Sequence, residues 1–278
     1  MCPIKLEGKF RFFLNCTFCR CTFSPSRTFT TCDGKLLHQR INIPAWYNDS
    51  SFPPEILYEW LTLRMDRLAM LKYVDLTEED FATESSKNGL LSRSMVHSSF
   101  EHCLAHANES SESFRLRLST SEDVETIVRL VNGLAVYEKE PDAVNCTSEN
   151  YRCDGHSNEP LYYCLLLDDK KNCETAKPYS CGMAFIYFGY ELGRGRFLYL
   201  EDLYLEEPYR KRGAGSLVMK FLARMALDMC CKNFYWVALD WNTPALNLYQ
   251  KIGAKVQKGV LTIRYTQDKL KAFADASG

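Results

Sequence analysis

The sequence has almost no excess charge, no long apolar run and no regular cysteine framework, and each shortage removes a class of protein. Lys plus Arg number 34 against 35 Asp plus Glu, a formal net charge of −1. That balance points to neither an acidic tail nor a nucleic-acid footprint, and no nucleic-acid partner is expected. No apolar stretch approaches the roughly 18 residues that a membrane-spanning helix needs, so no membrane partner is expected either. The 13 cysteines are many, but their number is odd and their spacing follows no disulfide pattern. Several lie inside apolar runs (Cys164, Cys181, Cys230, Cys231), where a reduced Cys behaves as a small hydrophobe, and the expectation is a reducing, cytoplasmic compartment. Asn-x-Ser/Thr matches occur at Asn15, Asn48, Asn108 and Asn145. Without a secretory signal they read as chance. A Rossmann fingerprint and a phosphorylating P-loop are both missing.

What is present divides into two textures. Residues 1–112 are irregular and rich in Ser, Thr, Cys and Phe. Residues 8–32 hold Lys9, Arg11, Arg20 and Arg27 and no acid, the bias of an organelle transit peptide and equally that of an unconstrained N-terminus. Cys16, Cys19, Cys21 and Cys32, with His38, lack the second regular pair of a zinc site, and no metal is expected. Pro54–Tyr73, with Ile56, Leu57, Trp60, Leu61, Leu63, Leu68 and Leu71, predicts one helix. Thr83–Ser113 is polar and Ser-rich, and predicts a linker.

From residue 113 onward the pattern sharpens. Alternation in Phe114–Leu118 predicts a strand; Val124, Ile127, Val128, Val131 and Leu134 predict a helix behind it. Strands follow at Tyr162–Leu167, Gly182–Tyr190 and Phe197–Leu205, the last two joined by the turn Leu192–Gly195. Then come a glycine-containing loop (Arg210–Gly215), a helix (Ser216–Cys231) and a strand (Phe234–Leu239). A short helix, Pro244–Ile252, has Thr243 as its cap, and Val256–Tyr265 closes the domain as a strand. The order β-α-β-β-β-α-β-α-β is α/β with a mixed sheet.

Three features carry chemistry. In the first, Arg210-Lys211-Arg212-Gly213-Ala214-Gly215, a turn that opens a helix aims backbone N–H groups and the positive helix end at one point, an arrangement suited to a pyrophosphate. A basic surface turn would read the same if it stood alone. The second is Leu198–Leu205, apolar except for Glu201 and Asp202. Two acids in a core-like strand are costly to bury without purpose, and alternation lets only one face a given cleft. The functional reading is a general base or an ammonium-binding carboxylate; the plain one is a structural pairing. The third is Leu239–Ala254, where Tyr249 is either core or the acid that protonates a departing thiolate.

In this order the three motifs resemble the GNAT superfamily of N-acetyltransferases. More narrowly they resemble the diamine (spermidine/spermine) and thialysine enzymes, from about Phe114 to Thr266. Leu134–Glu140, Asp154–Leu166, Gly182–Tyr190 and Tyr199–Leu205 extend the likeness beyond the generic core, and Tyr137–Pro160 matches without a gap. The resemblance implies acetyl-CoA as co-substrate and no metal. It implies a small-molecule amine substrate, attacked directly in a ternary complex, and a homodimer. It assigns main-chain contacts to a bulged strand at Leu203, Tyr204 and Leu205, and a pyrophosphate cradle to Arg210, Lys211, Arg212, Gly213, Ala214, Gly215 and Ser216. Glu201 becomes the base beside Asp202, Tyr249 the acid, and Asn242 a cofactor or substrate contact. Tyr137 and Glu138 match a substrate-binding pair. Asp240, in Leu239-Asp-Trp-Asn242, leans toward the thialysine and plant ornithine enzymes. The chain departs from the family at Lys211, usually Gly, and at Gly259-Val260, where a Trp is usual. Residues 1–112 have no counterpart in a typical member. A peptide or protein lysine acetyltransferase and a non-catalytic acyl-CoA-binding module are the alternative readings.

Overall fold

The computed structural model describes residues 29–30, 36–37, 55–57, 59–77, 93–172, 178–258, 260 and 262–264. The 8–32 stretch apart from Phe29–Thr30, and the Cys16/Cys19/Cys21/Cys32 cluster with His38, lie outside these residues. The chain forms two compact units: residues 1–62, 238–247 and 256–278, and residues 63–237 with 248–255. In the first, β1 (Phe29–Thr30) and β2 (Leu36–Leu37) form an antiparallel pair, and β3 (Glu55–Leu57) pairs antiparallel with a strand at Thr262–Arg264.

Trp60–Asp66 is not helical. It is strand β4, in which Leu63 and Met65 are buried and Arg64 between them is half-buried, the alternation of a strand with one face on a core. Helix α1 (Arg67–Val74) starts only after Asp66, whose carboxylate accepts the Ala69 N–H at 3.0 Å, and ends at Asp75 in the left-handed region. The helix expected over 54–73 is therefore two strands, β3 and β4, followed by two turns of helix. The expected linker also contains a helix, α2 (Arg93–Glu109), whose buried Val96, Phe100, Cys103 and Ala107 recur at helical spacing. Its Asn108 side chain donates to the Leu116 carbonyl (2.9 Å) and accepts its N–H (2.7 Å). That covers part of the open edge of β5 (Phe114–Leu118).

The second unit carries a mixed seven-stranded sheet flanked by helices. A short 3-10 turn, Ser121–Asp123, leads into α3 (Val124–Tyr137); α4 (Ser148–His156) and strand β6 (Tyr163–Asp169) follow. The hairpin β7 (Ser180–Glu191)–β8 (Gly195–Leu205) precedes α5 (Ala214–Asp228), β9 (Asn233–Leu239) and α6 (Thr243–Lys251). The last elements are β10 (Lys255–Val256) and β11 (Thr262–Arg264). The single closing strand expected at Val256–Tyr265 is thus two strands in two different sheets, separated by a turn at Lys258. The large sheet runs β10-β4-β9-β8-β7-β6-β5. β5 through β8 pair antiparallel, and β8 and β9 pair in parallel.

Helices α1 and α2 pack on α5, and α3 lies on β7 and β8. The stripe Ile127, Leu130 and Leu134 of α3 buries itself against Leu166, Met183 and Phe185, and each such side chain contributes roughly 1.5–3 kcal/mol. Polar cross-linking holds the same layer. Arg117 Nε donates to Asp168 Oδ2 (2.8 Å), its Nη atoms donate to Asp123 (2.7 and 2.9 Å), and Ser180 Oγ donates to Asp168 Oδ1 (2.6 Å). With Asp168 fully buried, Arg117 keeps that charge compensated.

Candidate active site

The site is built where the ladder on each side of β8 is interrupted. Toward β7, Ile186 pairs with Leu200 but Phe185 pairs with Asp202, so Glu201 is an extra, unpaired residue. Toward β9, the parallel pairing ends at Leu200↔Trp236. This β-bulge falls at Glu201, not at Leu203–Leu205 as expected. Beyond it, Leu203, Tyr204 and Leu205 keep their partners Ala184, Met183 and Gly182 on β7. On the other side their main chain has no strand ladder among the described residues. Close packing fixes this end: a Cβ on Gly182 would lie 2.7 Å from the Tyr204 carbonyl, and one on Gly133 of α3 would lie 2.7 Å from the Tyr204 hydroxyl.

The bulge changes what the two acids can do. Strand alternation would send neighbouring side chains to opposite faces, but an inserted residue breaks that rule. Asp202 shares the face of Phe185, its cross-strand partner, and the Glu201 carboxyl is close enough to be titrated by the Asp202 charge. Burial, then that neighbouring charge, raises the Glu201 pKa; burial raises that of Asp202. Glu138, which follows the last residue of α3, is pushed up to about 8 by burial and then by the charges of Asp202 and Glu140. Glu201 Oε2 is buried without a hydrogen-bond partner, and none of the three acids forms an ion pair among the described residues. Converging, uncompensated carboxyls in a poorly solvated place favour a cation.

Tyr249 stands on α6, buried, with its ring edge-on to Trp236 at 5.2 Å. Burial, and then the Tyr137 phenol, raises its pKa, which keeps it protonated near neutrality. Its hydroxyl has no hydrogen bond among the described residues and is free to donate.

The glycine loop follows a 3-10 turn, Glu207–Tyr209. Gly213, at φ 85°, caps α5, and Leu217 N–H returns to its carbonyl at 3.0 Å. The N–H groups of Ala214, Gly215 and Ser216 therefore point out of the helix start. A Cβ on Gly213 would meet nothing within 4 Å, so the space above the loop is open. Gly215 is there for packing, since a Cβ would lie 3.1 Å from Leu248. Lys211 takes φ 61°, a left-handed conformation in which glycine would be relaxed. The loop's cations divide. Lys211 is exposed. Arg212 turns to Asp169 (3.5 Å) and lies over the Phe114 ring (4.8 Å). Arg210 donates from Nε to the Leu205 carbonyl at 2.8 Å and lies 4.5 Å over the Tyr137 ring.

Asp240 and Asn242 fall in the other compact unit. There the Asp240 N–H donates to the Glu59 carbonyl (2.8 Å), and the side-chain Oδ1 of Asn242 accepts the Ala245 N–H at 3.4 Å. Asn242, and not Thr243, is thus the cap of α6. The second unit brings Tyr137, Glu138, Glu201, Asp202, Tyr204, Tyr249 and the 210–216 loop to one region. Sequence reasoning missed Tyr151 and Glu140, which feel or add to the same charges, because neither stands out in a periodic pattern. Away from this region, His102, Cys103 and Asp228 bring ligand atoms within 4.8 Å of one another. Among the described residues no helix is long and apolar enough to cross a membrane.

Residues 129–254 match the acetyltransferase (GNAT) family. A thialysine N-epsilon-acetyltransferase of Bos taurus is 38% identical over 141 residues, spanning 50% of this chain and 83% of the relative. The Mus musculus enzyme of that name is 32% identical over 166 residues, 58% of this chain and 98% of the relative. Spermidine/spermine N(1)-acetyltransferase-like protein 1 of Homo sapiens is 29% identical over 164 residues, 58% of this chain and 24% of the relative. With that identity to the two thialysine relatives over most of their length, the chain belongs to the GNAT acetyltransferase family as an N-acetyltransferase.

Proposed function

We propose that the protein transfers the acetyl group of acetyl-CoA to a primary amine of a small cationic substrate, of the polyamine, thialysine or ornithine kind. The observation that carries this reading is the convergence of Glu138, Glu201 and Asp202, all with raised pKa and none with a cationic partner among the described residues. An ammonium brought to this place compensates all three. Relatives named for thialysine and for spermidine/spermine support that class.

The residues present fit acetyl-CoA. The Ala214, Gly215 and Ser216 N–H groups and the open face of Gly213 suit its pyrophosphate, with Lys211 adding charge nearby. The main chain of Leu203–Leu205 suits its pantetheine arm. When bound it supplies an activated acyl carbon and a thiolate leaving group. Glu201, its pKa raised toward working pH, takes the proton of the substrate ammonium, directly or through water, so that a neutral amine attacks. Asp202 holds the same ammonium electrostatically. Tyr249 keeps its proton at Oη until the thiolate charge develops, then gives it up, and the second proton of the acylated nitrogen returns to Oη, so that a neutral amide, the CoA thiol and the tyrosine hydroxyl result. Holding both reactants in line supplies much of the acceleration. No covalent enzyme intermediate is needed, and the working unit is a homodimer.

The test is a product panel. The protein is incubated with acetyl-CoA and, separately, spermidine, putrescine, thialysine, ornithine, lysine and a basic peptide, with thiol release and product mass recorded. N-acetylated small amines are expected in excess over acetylated peptide. Faster turnover of the peptide favours a peptide or protein lysine acetyltransferase. CoA binding with no turnover of any amine leaves an acyl-CoA-binding module.

A further inference from the structure

The Arg210 side chain occupies a place that phosphate binding does not explain. Its guanidinium lies over two rings from two elements, Tyr137 of α3 (4.5 Å) and Tyr204 of β8 (5.8 Å), while Nε donates to the Leu205 carbonyl (2.8 Å). The end of α3 needs such support. Lys139 adopts φ 67°, where glycine would be relaxed, as the Lys139 and Glu140 N–H groups close back on Val136 (3.1 Å) and Ala135 (2.8 Å). Glu138, whose carboxyl belongs to the acidic site, sits inside that turn with its own N–H on Leu134 (2.9 Å). A guanidinium beside a helix C-terminus also opposes the negative end of the helix dipole. In the other direction, the Arg210 backbone leads directly into Lys211–Gly213 and the start of α5.

We infer that Arg210 is a positioning residue that couples the donor loop to the amine site: ordering of the 210–216 backbone by a diphosphate fixes the guanidinium, which fixes Tyr137 and so the turn holding Glu138. Such coupling is reciprocal, so an amine at Glu138 strengthens donor binding by the same factor. The inference rests on the reading of the Gly213–Ser216 N–H groups as the donor site.

Amide hydrogen exchange of the full chain with and without CoA tests it, needing neither turnover nor a known amine. In the wild type CoA is expected to slow exchange at Ala214–Ser216 and also, several-fold, at Val136–Glu140. In Arg210→Met, at CoA concentrations that protect Ala214–Ser216 equally, protection at Val136–Glu140 disappears, and Arg210→Lys restores part of it. Tyr137→Leu cuts the same link from the α3 side and leaves the loop intact, so it gives the answer if Arg210→Met does not fold. Equal protection of Val136–Glu140 in the variants, or none there in a wild type whose loop is protected, overturns the coupling. A wild type with no protection at Ala214–Ser216 refutes the donor-site reading itself.

Discussion

Glu201 and Asp202 are adjacent in sequence, but the β-bulge leaves Glu201 as the extra residue while Asp202 pairs with Phe185, and burial and then the Asp202 charge raise the Glu201 pKa. A regular strand would have set them on opposite faces and left one of them outside the site. The inserted residue coincides with the end of the β8–β9 ladder, so one irregularity both opens the sheet and loads its rim with acid.

In the proposed mechanism turnover depends on the Glu201 carboxylate. Glu201→Gln keeps the shape and removes the base. It is expected to lower kcat about 10²-fold or more with CoA affinity retained, measured by thiol release and by calorimetric titration of CoA.

Tyr249→Phe removes the hydroxyl to which the proposed mechanism gives protonation of the leaving thiolate, and leaves the edge-on contact with Trp236. Most turnover is lost while CoA still binds. Unchanged turnover would remove Tyr249 from the mechanism.

The acids also leave a mark on stability. Glu138 is raised from 4.5 to about 8 in the folded protein, so between those values the native state holds more proton than the unfolded chain. A raised acid makes stability fall as pH rises through that window. Asp123 acts oppositely. Its pKa is held near about 2, with the Arg117 and Thr120 hydrogen bonds outweighing the opposing effect of burial, and its contribution is lost only as pH drops below the ordinary carboxylate range. Thermal melts should show stability declining from pH 5 to 8, a decline that Glu138→Gln lessens while weakening amine binding. A melting temperature indifferent to pH in the wild type would contradict these shifts.

The Arg117 network predicts a large effect on stability. Arg117→Met strands the buried Asp168 carboxylate, and loss of one partner of a buried pair costs about 3–5 kcal/mol. Denaturant unfolding should show a loss of that order, part of which Asp168→Asn recovers in the double variant.

Much of this site could be read from the residues. The run Leu198–Leu205 announced both a buried strand and two acids with no ordinary reason to be there, and the Arg210–Gly215 loop announced a helix, which starts at Ala214 and not at Ser216 as expected. What stayed hidden depended on register and on partners. No residue in Leu200-Glu-Asp-Leu203 marks a bulge, since only the partner strand decides which residue is the extra one. Trp60–Asp66 looked helical because Leu61, Leu63, Leu68 and Leu71 fit a helical spacing, although Leu68 is exposed and Asp66 is a cap. Helix α2 was concealed because its stripe uses Cys103 and Ala107 among serines. Helix α4 was missed because its capping box pairs Thr147 with Asn150 where Glu or Gln would be the usual signal.

The pH dependence of kcat for wild type and Glu201→Gln, with the best amine of the panel, tests the central claim most directly. In the wild type kcat should rise with pH through an apparent pKa above the ordinary carboxylate range, and in Glu201→Gln that limb should vanish along with most of the rate. A Glu201→Gln enzyme that keeps both the rate and the limb would contradict the assignment of Glu201 as the base.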